Sequence, residues 1–104
     1  MSGGDQIDRQ LAAIVLHFMP EAEGEELRWR IALMKARDFA GQLIATRDDE
    51  MAYELAQTAH DIAGRYAFAD VPTVRLELAT RLCRNLVQAA FTADHLASEA
   101  PYAD

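Results

Sequence analysis

Cysteine occurs once, at position 83, so no disulfide can form within the chain and a reducing compartment, the cytoplasm, is the expected setting. Three prolines and five glycines in 104 residues are too few for an all-β protein built on many tight turns. Long hydrophobic runs are missing too. The longest, Leu11 to Leu16, falls far short of the ~20 residues that a membrane helix needs, which argues against a membrane role. The opening Met1-Ser2-Gly3-Gly4-Asp5 has no positive region followed by an apolar run, so no signal peptide is expected. Basic residues are scarce: 10 Lys and Arg stand against 17 Asp and Glu, a net charge of −7. Phosphate backbones and anionic lipid repel such a chain unless its basic residues are concentrated in one patch. The nearest grouping, Arg75, Arg81 and Arg84, is interleaved with leucine, lacks aromatics and reads as a solvated helix face. No nucleic-acid partner is expected.

What remains is helical. Ala, Leu, Arg, Glu and Gln dominate, all good helix formers, and 51% of residues are hydrophobic. The length allows one domain spanning 1–104, with an ordered core of about 5–98 and fraying in the first four residues and beyond Ser98. The first helix should start near Asp5 and stop before Pro20, with Ile7, Leu11, Ile14 and Phe18 as its apolar stripe. A second should run from about Glu23 to Thr46, with Glu23, Glu25 and Glu26 at the favoured end of the dipole. Trp29, Leu33, Ala36, Ala40 and Leu43 form one stripe on it, and Leu27, Ile31 and Met34 another. Thr46-Arg47-Asp48-Asp49-Glu50 supplies a short polar break and candidate caps. The third helix, from about Asp49 to Ala67, carries Met51, Leu55, Ala59, Ile62 and Tyr66. Asp70-Val71-Pro72 reads as a turn opening a fourth helix to about Leu96, on Val74, Leu78, Leu82, Leu86 and Ala89. Four amphipathic helices with short connections imply an all-α, antiparallel four-helix bundle.

One histidine draws attention. At roughly 100° per residue, His60 lies about 130° from the centre of the third helix's stripe, toward solvent. Its neighbours on the wheel are Tyr53, Ala56, Gln57, Ala63, Gly64 and Ala67. A solvent-facing helix surface normally carries charged residues, as this helix does at Glu50, Glu54, Asp61 and Arg65, but these neighbours are mostly small and should form a flat patch around His60. Gly64 is the sharpest departure, because Gly inside a helix costs about 1 kcal/mol relative to Ala. Close approach of another protein to the imidazole would give it a purpose. An incidental histidine on an Ala-rich face, or a second packing face, is the plainer alternative.

The segment Ala59-His60-Asp61-Ile62-Ala63-Gly64, followed by Val71-Pro72 and a Leu-rich helix, resembles histidine-containing phosphotransfer domains. The family motif is His, two residues, often Lys, then Gly, followed by a short connection and a helix with recurring Ala and Leu. The His60–Gly64 spacing, the apolar Ile62 and the run Leu78, Ala79 and Leu82 match it, and the resemblance covers about Leu27 to Leu86. It implies a four-helix bundle whose His60 accepts and donates a phosphoryl group. The implied partners are response-regulator receiver domains and a hybrid sensor kinase. Tyr53, Ala56, Gln57, Ala63, Gly64 and Ala67 would be the docking surface, with Gln57 donating to a phosphoryl oxygen. No cofactor is implied on this chain; Mg²⁺ belongs to the receiver. The sequence departs from the pattern where Ala63 replaces the usual Lys, Arg65 a small residue, and Ala69-Asp70 a turn glycine. An imidazole, with an ordinary pKa of about 6.5, is nucleophilic in the neutral form that prevails at cytoplasmic pH. No Gly-rich phosphate loop marks an ATP site.

Other groupings carry less. His17, His60 and His95 fall on three helices without metal-ligand spacing, so no metal site is expected. Cys83, beside Leu82 and Leu86, reads as core, and Asp48-Asp49-Glu50 as capping rather than a calcium loop. Ile7-Asp8-Arg9-Gln10-Leu11 faintly resembles the opening helix of chorismate mutases. The helix ends His17-Phe18-Met19 without the Arg such a site needs. A helical adaptor or dimerisation module using the same small-residue patch is the binding-only alternative.

Overall fold

The structure, a computed structural model, describes the backbone of residues 3–99 and the side chains of residues 6–93. It is an all-α antiparallel four-helix bundle: α1 (Gly3–Phe18), α2 (Gly24–Thr46), α3 (Glu50–Tyr66) and α4 (Thr73–Glu99). The expected boundaries hold to within a few residues. Gly3 and Gly4 already belong to α1, and Glu99 to α4, where fraying is expected from sequence; residues 1–2 and 100–104 lie outside the described residues.

Local chemistry sets the ends. Asp49 caps α3, its carboxylate accepting from the Ala52 backbone N–H at 2.8 Å, which satisfies one of the donors that a helix start leaves free. The Pro72 carbonyl accepts from Arg75 and Leu76, opening α4. Gly24 starts α2 at φ +58°, among the described residues the only positive φ. That is left-handed backbone, which a Cβ disfavours.

Helices α2, α3 and α4 pack mutually, and α1 comes close to α2 alone. The core does not follow the expected stripes everywhere. On α2 the first stripe is correct: Leu33, Ala40 and Leu43 are buried, and Trp29 and Ala36 pack against the cluster around Leu33. On α3 the inward face is instead Ala52, Ala56, Ala59 and Ala63, continued by Ala67, all fully buried, while Met51 is exposed. Leu55, Ile62 and Tyr66 flank that face. On α4, Leu76, Ala79, Thr80, Cys83 and Ala90 point inward, and Val74, Leu78 and Leu82 are exposed. On α1, Val15 is buried and Ile7, Ile14 and Phe18 are exposed. The physical reason is close approach. A face of alanines lets helix axes come nearer than leucines would, so small residues take the contact and larger ones fill its margins. The Cys83 thiol, donating to the Ala59 carbonyl at 3.5 Å, marks how near α4 lies to the α3 backbone.

Two polar side chains are buried in the bundle, one bonded within its helix and one between helices. Thr80 returns its hydroxyl to the Leu76 carbonyl at 2.8 Å. Arg30 is buried in α2, where its Nη1 donates to the Ala67 carbonyl at 3.0 Å and its Nε to Glu26 at 2.9 Å. It therefore supplies a cation and a donor at the C-terminus of α3, where the helix dipole favours both. α1 is attached by a Lys35–Asp8 ion pair and by an edge contact of Phe18 with Phe68, ring centres 5.2 Å apart.

Candidate functional site around His60

The antiparallel register of α2 and α3 builds the surroundings of His60. It sets Gly41 of α2 opposite His60, and Arg37, one turn earlier on α2, opposite Gly64, one turn later on α3. Each large side chain thus meets a glycine across the interface. A Cβ on Gly41 would stand 3.8 Å from His60 Cδ2, and one on Gly64 only 3.2 Å from Arg37 Nε and 3.5 Å from its Cδ. Gly64 is where the Arg37 side chain crosses α3.

His60 is partly exposed, with 31% of its side chain accessible. It lies on the wall of an open groove of about 800 Å³. α2 floors this groove with Met34, Arg37, Asp38 and Gly41. Ile7 and Leu11 of α1 stand on one side, and His60 and Phe68 on the other. The Asp61 carboxylate lies 3.9 Å from His60 Nδ1, and among the described residues neither ring nitrogen has a hydrogen-bond partner. Cδ2 is the ring atom nearest to α2, facing Gly41, while Nδ1 is the nitrogen within 3.9 Å of the Asp61 carboxylate.

The flat exposed patch expected around His60 does not form. Ala56, Ala63 and Ala67 are fully buried: Ala56 packs near Leu43 and Ala90, Ala63 and Ala67 near Leu33 and Leu76. They belong to the core and cannot meet a partner. Tyr53 is exposed. Gln57 donates its amide to Asp61 at 3.0 Å, along the surface of α3. Gly64 is approached by Arg37 of the same chain, not left bare. The wheel placed His60 correctly toward accessible surface and misjudged its neighbours, because the inward face of α3 is turned toward the alanines. Arg37 and Gly41 were not among the expected site residues. The signal that could have found them is Gly41 itself, a second glycine inside a helix, on the same face as Arg37 at i−4.

Cys83 is buried, and burial pushes its thiol from 9.0 up to about 11, which makes it inert as a nucleophile near neutrality. Among the described residues, no group of His, Cys, Asp and Glu could hold a metal ion, and no helix is long and apolar enough to cross a membrane. His17 stacks edge-on against Phe18 at 4.9 Å; the side chain of His95 lies outside the described residues. Comparison with family models, curated proteins and solved structures finds no significant match to this chain.

Proposed function

We propose that the protein is a histidine phosphotransfer protein of a phosphorelay, carrying a phosphoryl group on His60 between receiver-domain aspartates. The observation that carries this reading is a partly exposed imidazole at mid-helix in a four-helix bundle, in the sequence setting that resembles that family. The reaction asks little of the chain. The Nε2 lone pair of neutral His60 attacks phosphorus of an aspartyl phosphate, the P–O bond to the aspartate breaks, and the electron pair leaves with that carboxylate. The proton on Nδ1 stays, and the ring becomes cationic. Asp61, 3.9 Å from Nδ1, favours the tautomer with the proton on that nitrogen and then faces the positive ring. The receiver brings Mg²⁺ and its own charges, so the chain supplies a reachable nucleophile and a surface that fits. The docking surface in this reading is the rim of the groove, Ile7 and Leu11 of α1 with His60 on α3, together with the exposed Tyr53.

The test is incubation with phosphorylated receiver domains and detection of acid-labile phosphohistidine. Label on the wild type and none on His60→Gln is expected. Label persisting in His60→Gln, or absent from the wild type with every receiver tried, overturns the proposal.

A second reading, a helical interaction module without transfer, draws on a different observation. Leu78 and Leu82 are 61% and 48% exposed and line a shallow groove with Ile62, Tyr66 and two arginines, Arg65 and Arg75, separate from the groove that holds His60. Sedimentation of the wild type beside Leu78→Glu tests it: association lost in the variant favours the module, and monomers in both exclude self-association through this face.

A further inference from the structure

We infer that Arg37 is the phosphoryl-binding cation of the His60 site, reaching it from α2 across Gly64; this rests on the phosphotransfer reading. The position where the resembling motif often has Lys is Ala63, which is fully buried in the core, and Arg65 is exposed one residue beyond Gly64. Neither α3 side chain supplies a cation beside the ring. α2 does. The Arg37 side chain lies over Gly64, with Nε 3.2 Å and Cζ 4.0 Å from the point a Cβ would occupy. Gly64 is one turn, about 6 Å of rise, from His60, and both Arg37 and His60 line the same groove. The Cδ2 edge of the ring faces α2 at Gly41, one turn from Arg37 on the same helix.

What sets Arg37 apart from the other exposed arginines is its place: it lines the same groove as His60, and among the described residues no ion pair holds it elsewhere. Among the described residues no carboxylate lies within ion-pair distance of its guanidinium, whereas neighbouring Lys35 is paired with Asp8 and buried Arg30 with Glu26. Asp38, the carboxylate on the groove floor, instead accepts from Gln42 at 3.2 Å. An unpaired guanidinium on a chain of net charge −7 is a donor fork held ready for an oxyanion, and a phosphoryl group matches that fork. Gly64 then has a reason within the chain: a side chain there would lift the guanidinium away from the ring.

The experiment uses phosphoramidate, a small phosphodonor that needs no receiver, so that docking does not enter. Wild type, Arg37→Met, Arg37→Lys, Gly64→Leu and His60→Gln are incubated with it, and phosphohistidine is followed by ³¹P NMR beside a melting curve for each. Arg37→Met should be labelled at least about tenfold more slowly, as expected for loss of one donor to a developing oxyanion, with its melting temperature unchanged because Arg37 is exposed and unpaired. Arg37→Lys should recover part of the rate, and Gly64→Leu should resemble Arg37→Met. Labelling of Arg37→Met at the wild-type rate, still dependent on His60, overturns the role of Arg37 and leaves phosphotransfer standing. A wild type labelled no faster than His60→Gln overturns both.

Discussion

Replacing Arg30 by Met is the sharpest test of how this bundle holds together. The change keeps the aliphatic stem and removes the guanidinium, and with it the 3.0 Å bond to the Ala67 carbonyl and the 2.9 Å bond to Glu26. Glu26 is a third exposed, so its carboxylate regains water and its loss of a partner costs little. The Ala67 carbonyl cannot: Ala67 is fully buried, and among the described residues no backbone N–H bonds to that oxygen. Stranding a buried acceptor costs about 1–3 kcal/mol, and losing a cation at a helix C-terminus adds about 0.3–1 kcal/mol. Relief from burying the guanidinium offsets part of this, leaving a net loss of about 2 kcal/mol. For a chain of this length, that lowers the melting temperature by roughly 8–16 °C. Urea and thermal unfolding of wild type, Arg30→Met and Glu26→Gln measure it, with Glu26→Gln expected to cost under about 1 kcal/mol. An Arg30→Met protein melting with the wild type refutes the reasoning. Equal losses in the two variants would place the stabilisation in the ion pair instead of at the end of α3.

The glycines should respond with different signs. Gly41→Ala adds a Cβ at an ordinary 3.8 Å from His60 and should stabilise by up to about 1 kcal/mol through helix propensity; Gly24→Ala, at φ +58°, should destabilise by about 1 kcal/mol, both read from urea midpoints. Asp49→Ala removes the cap on Ala52 and should cost about 1 kcal/mol in the same assay. Cys83 should resist iodoacetamide at pH 8 until the chain unfolds. Its folded pKa of about 11 stands above its ordinary 9.0, so its contribution is complete below pH 9.0 and declines as pH rises toward 11. The fall in stability across that window should be shallower in Cys83→Ala; an identical fall would show that burial of the thiol does not drive it.

The sequence by itself determined that this chain is a bundle of four helices and nearly where each begins and ends. Those features are local: Pro20 and Pro72 interrupt, Asp49 caps, and helix-forming residues fill the spans between. It also determined that His60 faces away from the centre of the core, because a wheel needs only the helical repeat. Which face of each helix turns inward was decided by tertiary packing. On α3 a stripe of Leu, Ile and Tyr and a stripe of Ala both satisfy the 3.6-residue period, and the period carries no preference between them. The alanines won because α2 and α4 both press against α3, and only small side chains let three helix axes come so near. The same choice buried Ala56, Ala63 and Ala67, left Leu78 and Leu82 outside, and brought Arg37 over Gly64. That last pairing joins residues 27 positions apart on different helices, which no periodicity within one helix can foresee and which the antiparallel register of α2 and α3 alone creates.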